Sequence, residues 1–114
     1  MTLQEVADMI GSIQLNNVNI PFAYRAFEEN EAVPPPFICY FYTGNSIEPA
    51  DNKNYIPIEQ LAIEVYSDTK DFALEKAVEN VLNAYEMVYT REEAYIDDEK
   101  MQMVTYTMEV YINE

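Results

Sequence analysis

The segment Ile58-Glu59-Gln60-Leu61-Ala62-Ile63-Glu64-Val65-Tyr66, closed by Ser67-Asp68-Thr69-Lys70-Asp71, decides how this chain is built. Leu61, Ile63 and Val65 alternate with Gln60, Ala62 and Glu64, the period of two expected of a strand with one buried face. The polar run that follows offers side-chain oxygens able to cap a helix N-terminus. After it, Leu74, Ala77, Val78, Val81, Leu82 and Tyr85 recur at i, i+3, i+4, i+7, i+8 and i+11, one apolar stripe of a helix. Two further strand-like runs, residues 87–96 and 101–112, are joined by Asp97-Asp98-Glu99-Lys100. Strand, helix, then hairpin predicts one helix packed on an antiparallel sheet, with Leu61, Ile63, Val65, Val104, Tyr106, Met108 and Val110 facing the core.

Upstream, residues 37–43 form the most aromatic strand, with Phe37, Tyr40, Phe41 and Tyr42 in one run. Thr2-Leu3-Gln4-Glu5 fits a capping box, in which the two side chains satisfy orphan backbone N–H groups reciprocally. Leu3, Val6, Ala7, Ile10 and Ile13 continue it as a helical stripe, weakened at Gly11. Asn16-Asn17 marks a turn. Residues 18–24 are expected to be extended or irregular, because Pro21 disfavours helix at Ile20. Pro34-Pro35-Pro36 is expected as a stiff polyproline-II-like entry to the aromatic strand. The fold class that follows is α+β: a mainly antiparallel four-stranded sheet packed by one central helix, plus an N-terminal helix, in a single domain over residues 1–114.

Residues 44–55 read as a polar loop of about twelve residues, long enough to suggest a contact role. The loop is expected to be mobile in the isolated subunit and to order only against a neighbour or a partner subunit. Asn45, Ile47, Glu48, Asp51, Asn52, Lys53 and Tyr55 on it, with Asp97 and Asp98 of the acidic turn, are the candidate partner contacts.

Composition narrows the function. Hydrophobic content of 49% with two Gly is that of a folded chain. No apolar stretch reaches the ~20 residues of a membrane-spanning helix, and the N-terminus has no secretion-signal pattern. Acidic residues outnumber basic ones 21 to 6, a net charge of −15. Phosphate-backbone binding relies on Lys and Arg, and the six here are scattered, so direct nucleic-acid binding is disfavoured. The acidity serves solubility, matches a basic partner, or repels passing DNA.

The chemistry of catalysis is thinly represented. Cys39, flanked by Ile38, Tyr40 and Phe41, reads as a small buried hydrophobe, since no histidine exists to act as its base. One Cys and no His argue against zinc and against the usual nucleophilic triads. Asp51-Asn52-Lys53-Asn54 has the outline of a calcium loop but fails at Lys53, Ile56 and Ala62, the third, sixth and twelfth positions. No phosphate-binding glycine loop is present, and 21 unorganised carboxylates single out no glycosidase pair. The expectation is no enzyme, with no cofactor and no metal site. Ten tyrosines, mostly on strands, exceed what one helical cover could bury; those on the open face are either plain surface or contacts for a neighbour, since tyrosine is enriched at interfaces.

Four phrases carry a family likeness: Ile20-Pro21-Phe22-Ala23-Tyr24, Pro35-Pro36-Phe37-Ile38-Cys39-Tyr40, Ala50-Asp51-Asn52-Lys53-Asn54-Tyr55, and Leu61 through Asp71 entering the helix. In these phrases and in the order of its elements, the chain resembles the tail-terminator (tail-completion) proteins of long-tailed bacteriophages and prophages. The resemblance spans nearly the whole chain and is structural, without a catalytic signature. It implies a homo-oligomeric ring, often a hexamer, at the head-proximal end of the tail tube. Such a ring halts tube polymerisation and joins the tube to the head connector. The tail-tube and head-connector proteins are then the partners, the virion tail is the location, and the host cytoplasm is the place of synthesis. A second reading of the acidity is a DNA-mimic inhibitor that presents carboxylates to a basic DNA-binding enzyme.

Overall fold

The computed structural model describes residues 1–49 and 55–113, with side chains for residues 1–44 and 58–113. Its elements run α1 (Leu3–Gly11), β1 (Gln14–Leu15), β2 (Val18–Asn19), β3 (Phe22–Tyr24), a short 3-10 turn (Glu29–Glu31), β4 (Phe37–Pro49), β5 (Tyr55–Ser67), α2 (Phe72–Ala84), β6 (Tyr89–Ile96) and β7 (Met101–Tyr111).

Local chemistry sets the helix starts. Thr2 Oγ1 accepts from the Glu5 N–H at 3.0 Å and Glu5 Oε1 accepts from the Thr2 N–H at 2.9 Å, completing the expected capping box. Asp71 caps α2 by accepting from the Leu74 N–H at 3.0 Å. On α1 the buried stripe is Val6, Met9 and Ile10, while Leu3 stands 45% exposed. The stripe therefore runs through Met9 rather than back to Leu3. On α2 Leu74, Val78 and Leu82 are buried as the spacing predicts, but Tyr85 lies beyond the last turn and is exposed.

The main sheet has five strands in the order β3-β4-β5-β7-β6, mixed rather than wholly antiparallel, and β1 and β2 form a separate two-stranded ribbon. The four expected strands are all present and pair antiparallel; the addition is β3, which runs parallel to β4 through Phe22↔Ile38 and Tyr24↔Tyr40. Pro21 has no N–H to donate, yet its carbonyl accepts from Ile38 N at 2.9 Å and starts the pairing. Residues 26–36 then make the crossover that a parallel pair requires, with Phe27 edge-on to Phe37 and Phe37 stacked on Tyr66. Asn16 and Asn17, both with positive φ, turn the small ribbon.

Register aligns the core across the sheet. Tyr42↔Leu61↔Met108, Tyr40↔Ile63↔Tyr106 and Ile38↔Val65↔Val104 are three rows on the face covered by α1 and α2. Val78 is fully buried against them. Val78→Ala removes two methyl groups into a space that neighbours only partly refill, so it should cost about 2 kcal/mol in urea unfolding. A change within measurement error would place Val78 outside the cooperative core.

The largest departure from expectation is at residues 44–55. Gly44–Pro49 and Tyr55 are not loop: β4 and β5 pair along Gly44↔Gln60 through Pro49↔Tyr55. The pairing partner supplies what these polar residues lack in strand propensity. Between Tyr42↔Leu61 and Gly44↔Gln60 the register slips by one, leaving Thr43 as a bulge that turns the distal part of the hairpin.

Candidate functional site

The β4–β5 hairpin continues past the rest of the sheet. The last residue of β7, Tyr111, pairs with Ile58, whereas Ile47↔Pro57, Glu48↔Ile56 and Pro49↔Tyr55 lie beyond it. A two-stranded ribbon is marginal alone. This one is anchored because both strands run on into the five-stranded body, and the molecule is correspondingly long, 51 × 28 × 26 Å. Beyond the three residues that β3 covers, the outer edge of β4 also has no strand beside it among the described residues.

Of the candidate contacts, Asn45, Ile47, Glu48 and Tyr55 sit on this arm, paired with Glu59, Pro57, Ile56 and Pro49. Asp51, Asn52 and Lys53 lie outside the described residues. Asp97 and Asp98 occupy the β6–β7 turn at the other end of the sheet, next to the C-terminal end of β5. From Tyr55 to Ser67 the strand spans about 40 Å at its usual rise, so the two groups cannot serve one contact.

Two apolar patches that the sequence reading missed lie on opposite edges of the sheet. At the β3 edge, Phe22 and Tyr24 are 38% and 45% exposed, held against Tyr40 at 6.3 and 5.2 Å between ring centroids. The Arg25 guanidinium lies 5.6 Å from the centre of the Tyr24 ring. Arg25 ends β3 by donating its N–H to Tyr40 O at 2.8 Å, with a left-handed backbone at φ 68°.

At the far edge, the α2–β6 connection and the end of β7 enclose a groove of about 640 Å³. Tyr85, Val88 and Tyr111 line it at 45%, 88% and 48% exposure, with Glu86 and Glu109 adding negative charge. Glu86 follows the helix C-cap with φ 58°, where its N–H donates to Asn83 O and the next N–H to Leu82 O. That position favours glycine, and a negative side chain there opposes the helix dipole.

A third cluster fastens β6 to α2. Lys70 pairs with Glu75 at 3.0 Å and with Glu93, while Arg91 pairs with Glu75 and Glu93 and lies 3.6 Å from Glu79. Tyr106 Oη donates to Glu79 Oε2 at 2.8 Å. Hydrogen bonds from Lys70 and then Arg91 hold the Glu93 carboxyl below the usual carboxylate range. The bond to Glu93 is the main reason both the Lys70 ammonium and the Arg91 guanidinium are held above their usual values. These carboxylates are occupied by cations, an arrangement suited to anchoring an edge strand rather than to proton transfer. Among the described residues no group of three His, Cys, Asp or Glu is placed to hold a metal, and no helix is long and apolar enough to cross a membrane. Cys39 is buried; burial first, and Glu64 second, push its thiol pKa up, so its thiolate is disfavoured. No protein-family model matches the chain, and neither does any curated protein.

Proposed function

We propose that this chain is a structural subunit of a long-tailed phage or prophage virion, a tail terminator. As a ring it caps the head-proximal end of the tail tube, stops its polymerisation and joins it to the head connector. The observation that carries this reading is the anchored β4–β5 arm beyond Ile58 and Tyr111. Its backbone edges can add to a strand of a neighbouring protein, one of the recurring ways a sheet recruits a partner. An added strand that itself ends the pairing leaves the tube no site for its next subunit. The sequence resemblance and the exposed aromatic edges support the same reading. Net charge of −15 per subunit suits a lumen through which DNA must pass without sticking.

The arm gives the test. Replacing residues 47–57 by Asn-Gly joins the paired positions Ser46 and Ile58 through a tight hairpin turn. The five-stranded body should then keep its circular dichroism and its cooperative unfolding. Tail-tube protein polymerised with the native chain should give short, capped tubes, and with the shortened chain long, uncapped ones. Equal capping by both chains overturns the role of the arm. A native chain that never caps, yet binds a basic DNA-binding enzyme, moves the function to the DNA-mimic class. Ring formation should rise with salt, because each added subunit brings −15 and the screening length falls from ~30 Å at 0.01 M to ~10 Å at 0.1 M.

A further inference from the structure

The two apolar edges of the sheet carry charges of opposite sign, and we propose that they are the two halves of one self-interface. The β3 edge of one copy, Phe22, Tyr24 and Arg25, seats in the groove of Tyr85, Glu86, Val88 and Tyr111 on the next copy. The inference rests on the reading of the chain as a ring subunit, and it names the surfaces that would close the ring.

Three observations converge on this pairing. First, the patches sit toward opposite edges of the sheet, one on β3 and the other on β7 and the α2–β6 connection, separated by three to four strand spacings or about 14–19 Å. A surface that meets a different surface on an identical neighbour propagates head to tail, and it closes into a ring when the rotation allows. Second, the charges match. Arg25 has no ion pair with a carboxylate among the described residues and stands in an exposed aromatic edge. The groove bears Glu86 and Glu109, neither in an ion pair among the described residues; Glu109 accepts from Gln60 at 3.3 Å, and the Met1 amino group in the same groove is committed to Tyr111 O at 2.7 Å. In a chain with only six basic residues, two of which are committed to the α2–β6 network, an unpaired arginine among aromatics is a scarce attractive element.

Third, both charged residues sit where the local backbone disfavours them. Arg25 and Glu86 are non-glycine residues at φ 68° and 58°. Glu86 has the added disadvantage of a negative charge at a helix C-terminus. Side chains kept in such positions point to a role outside the fold. Contact with a neighbour supplies one. The guanidinium reaches the Glu86 carboxylate while Tyr24 and Phe22 cover Val88 and Tyr111, an arginine–aromatic anchor of the type that dominates interfaces.

Charge reversal tests the interface by light scattering at about 0.15 M salt, where long-range repulsion is screened. The native chain should self-associate. Arg25→Glu alone and Glu86→Arg alone each put like charges across the junction and should weaken association roughly 10- to 100-fold. Mixing the two variants, or combining both changes in one chain, restores opposite charges and should restore association. A misfolded variant would not be rescued. Val88→Asp, at an 88% exposed position, should also abolish association with the melting temperature unchanged. Glu86→Gly should raise the melting temperature and still weaken association, an opposition that no purely structural role of Glu86 produces.

Association of the native chain that is indifferent to both charge reversals overturns this interface while leaving the ring reading standing. A native chain that stays monomeric with and without tube protein, yet shortens tubes, overturns the interface and leaves capping standing. A monomer that also fails to cap overturns both.

Discussion

Tyr106→Ala is expected to lower stability by about 3–5 kcal/mol, and Tyr106→Phe by about 1 kcal/mol. Tyr106 is completely buried at the centre of β7, between Ile63 on β5 and Arg91 on β6, and its ring meets Tyr89 edge-on at 5.4 Å. Truncation removes the largest wholly buried side chain of the core and leaves a void under α2 that the paired strands cannot close. The phenylalanine variant keeps the ring and loses the hydroxyl's hydrogen bonds with Glu79 and Arg91, while the Glu79 carboxylate still faces Arg91. Domains of this size are stable by only about 5–15 kcal/mol, so the alanine variant should lie near the threshold of folding. Urea unfolding with an unchanged slope checks both values. Equal losses for the two substitutions would mean that the hydroxyl bond, not the packed ring, is what Tyr106 contributes.

The same residue shows why the body of the fold was legible. Alternation over residues 101–112 puts Val104, Tyr106, Met108 and Val110 on one face, and no competing signal interrupts it. Residues 58–66 and the stripe on α2 are equally unambiguous. What escaped was set by partners rather than by local pattern. A three-residue strand after a proline, Phe22–Tyr24, has too few positions to show a period and exists because β4 accepts it as a parallel neighbour. The polar Gly44–Pro49 stretch has poor strand propensity, and pairing with β5 overrides it.

The candidate site was less legible for a related reason. Arg25 and Glu86 are 61 positions apart in the chain, and nothing local announces that each ends an element in a left-handed turn. The sequence pattern points the other way at the groove. It carries the helical stripe to Tyr85 and begins the next strand at residue 87, whereas α2 ends at Ala84 and β6 starts at Tyr89, so the apolar residues there belong to a connection instead of a packed face. The α2–β6 network could have been found. Glu75 and Glu79 are one turn apart beside the buried stripe, and Arg91 and Glu93 share a face of the following strand in the sequence pattern.

That network supports the other large effect. Arg91→Met should cost about 2 kcal/mol, less than the 3–5 expected for a wholly buried pair, because the arginine side chain is 32% exposed. Methionine keeps the packing of the stem while Glu75, only 8% exposed, is left with Lys70 as its one cation in the network. The pH dependence follows from the direction of each shift. Glu93 is held below the usual range, so its contribution is present above the unfolded value of about 4.3 and is lost as pH falls through the depressed one. Lys70 is held above its usual value, so its contribution is present below about pH 10.4 and is lost as pH rises through the raised one. Burial also raises Tyr40, Tyr66, Tyr89 and Tyr106, which strengthens the loss above about pH 10. With no histidine, the difference in stability between the native chain and Arg91→Met should stay constant from about pH 6 to 9. It should then shrink as pH falls below the usual carboxylate range, when Glu93 takes up its proton. Taking the difference between two chains cancels the general relief of acidic self-repulsion on protonation, which would otherwise mask the effect. Urea midpoints measured across this range provide the check, and a difference that persists undiminished in acid would show that pairing with carboxylates is not what Arg91 contributes.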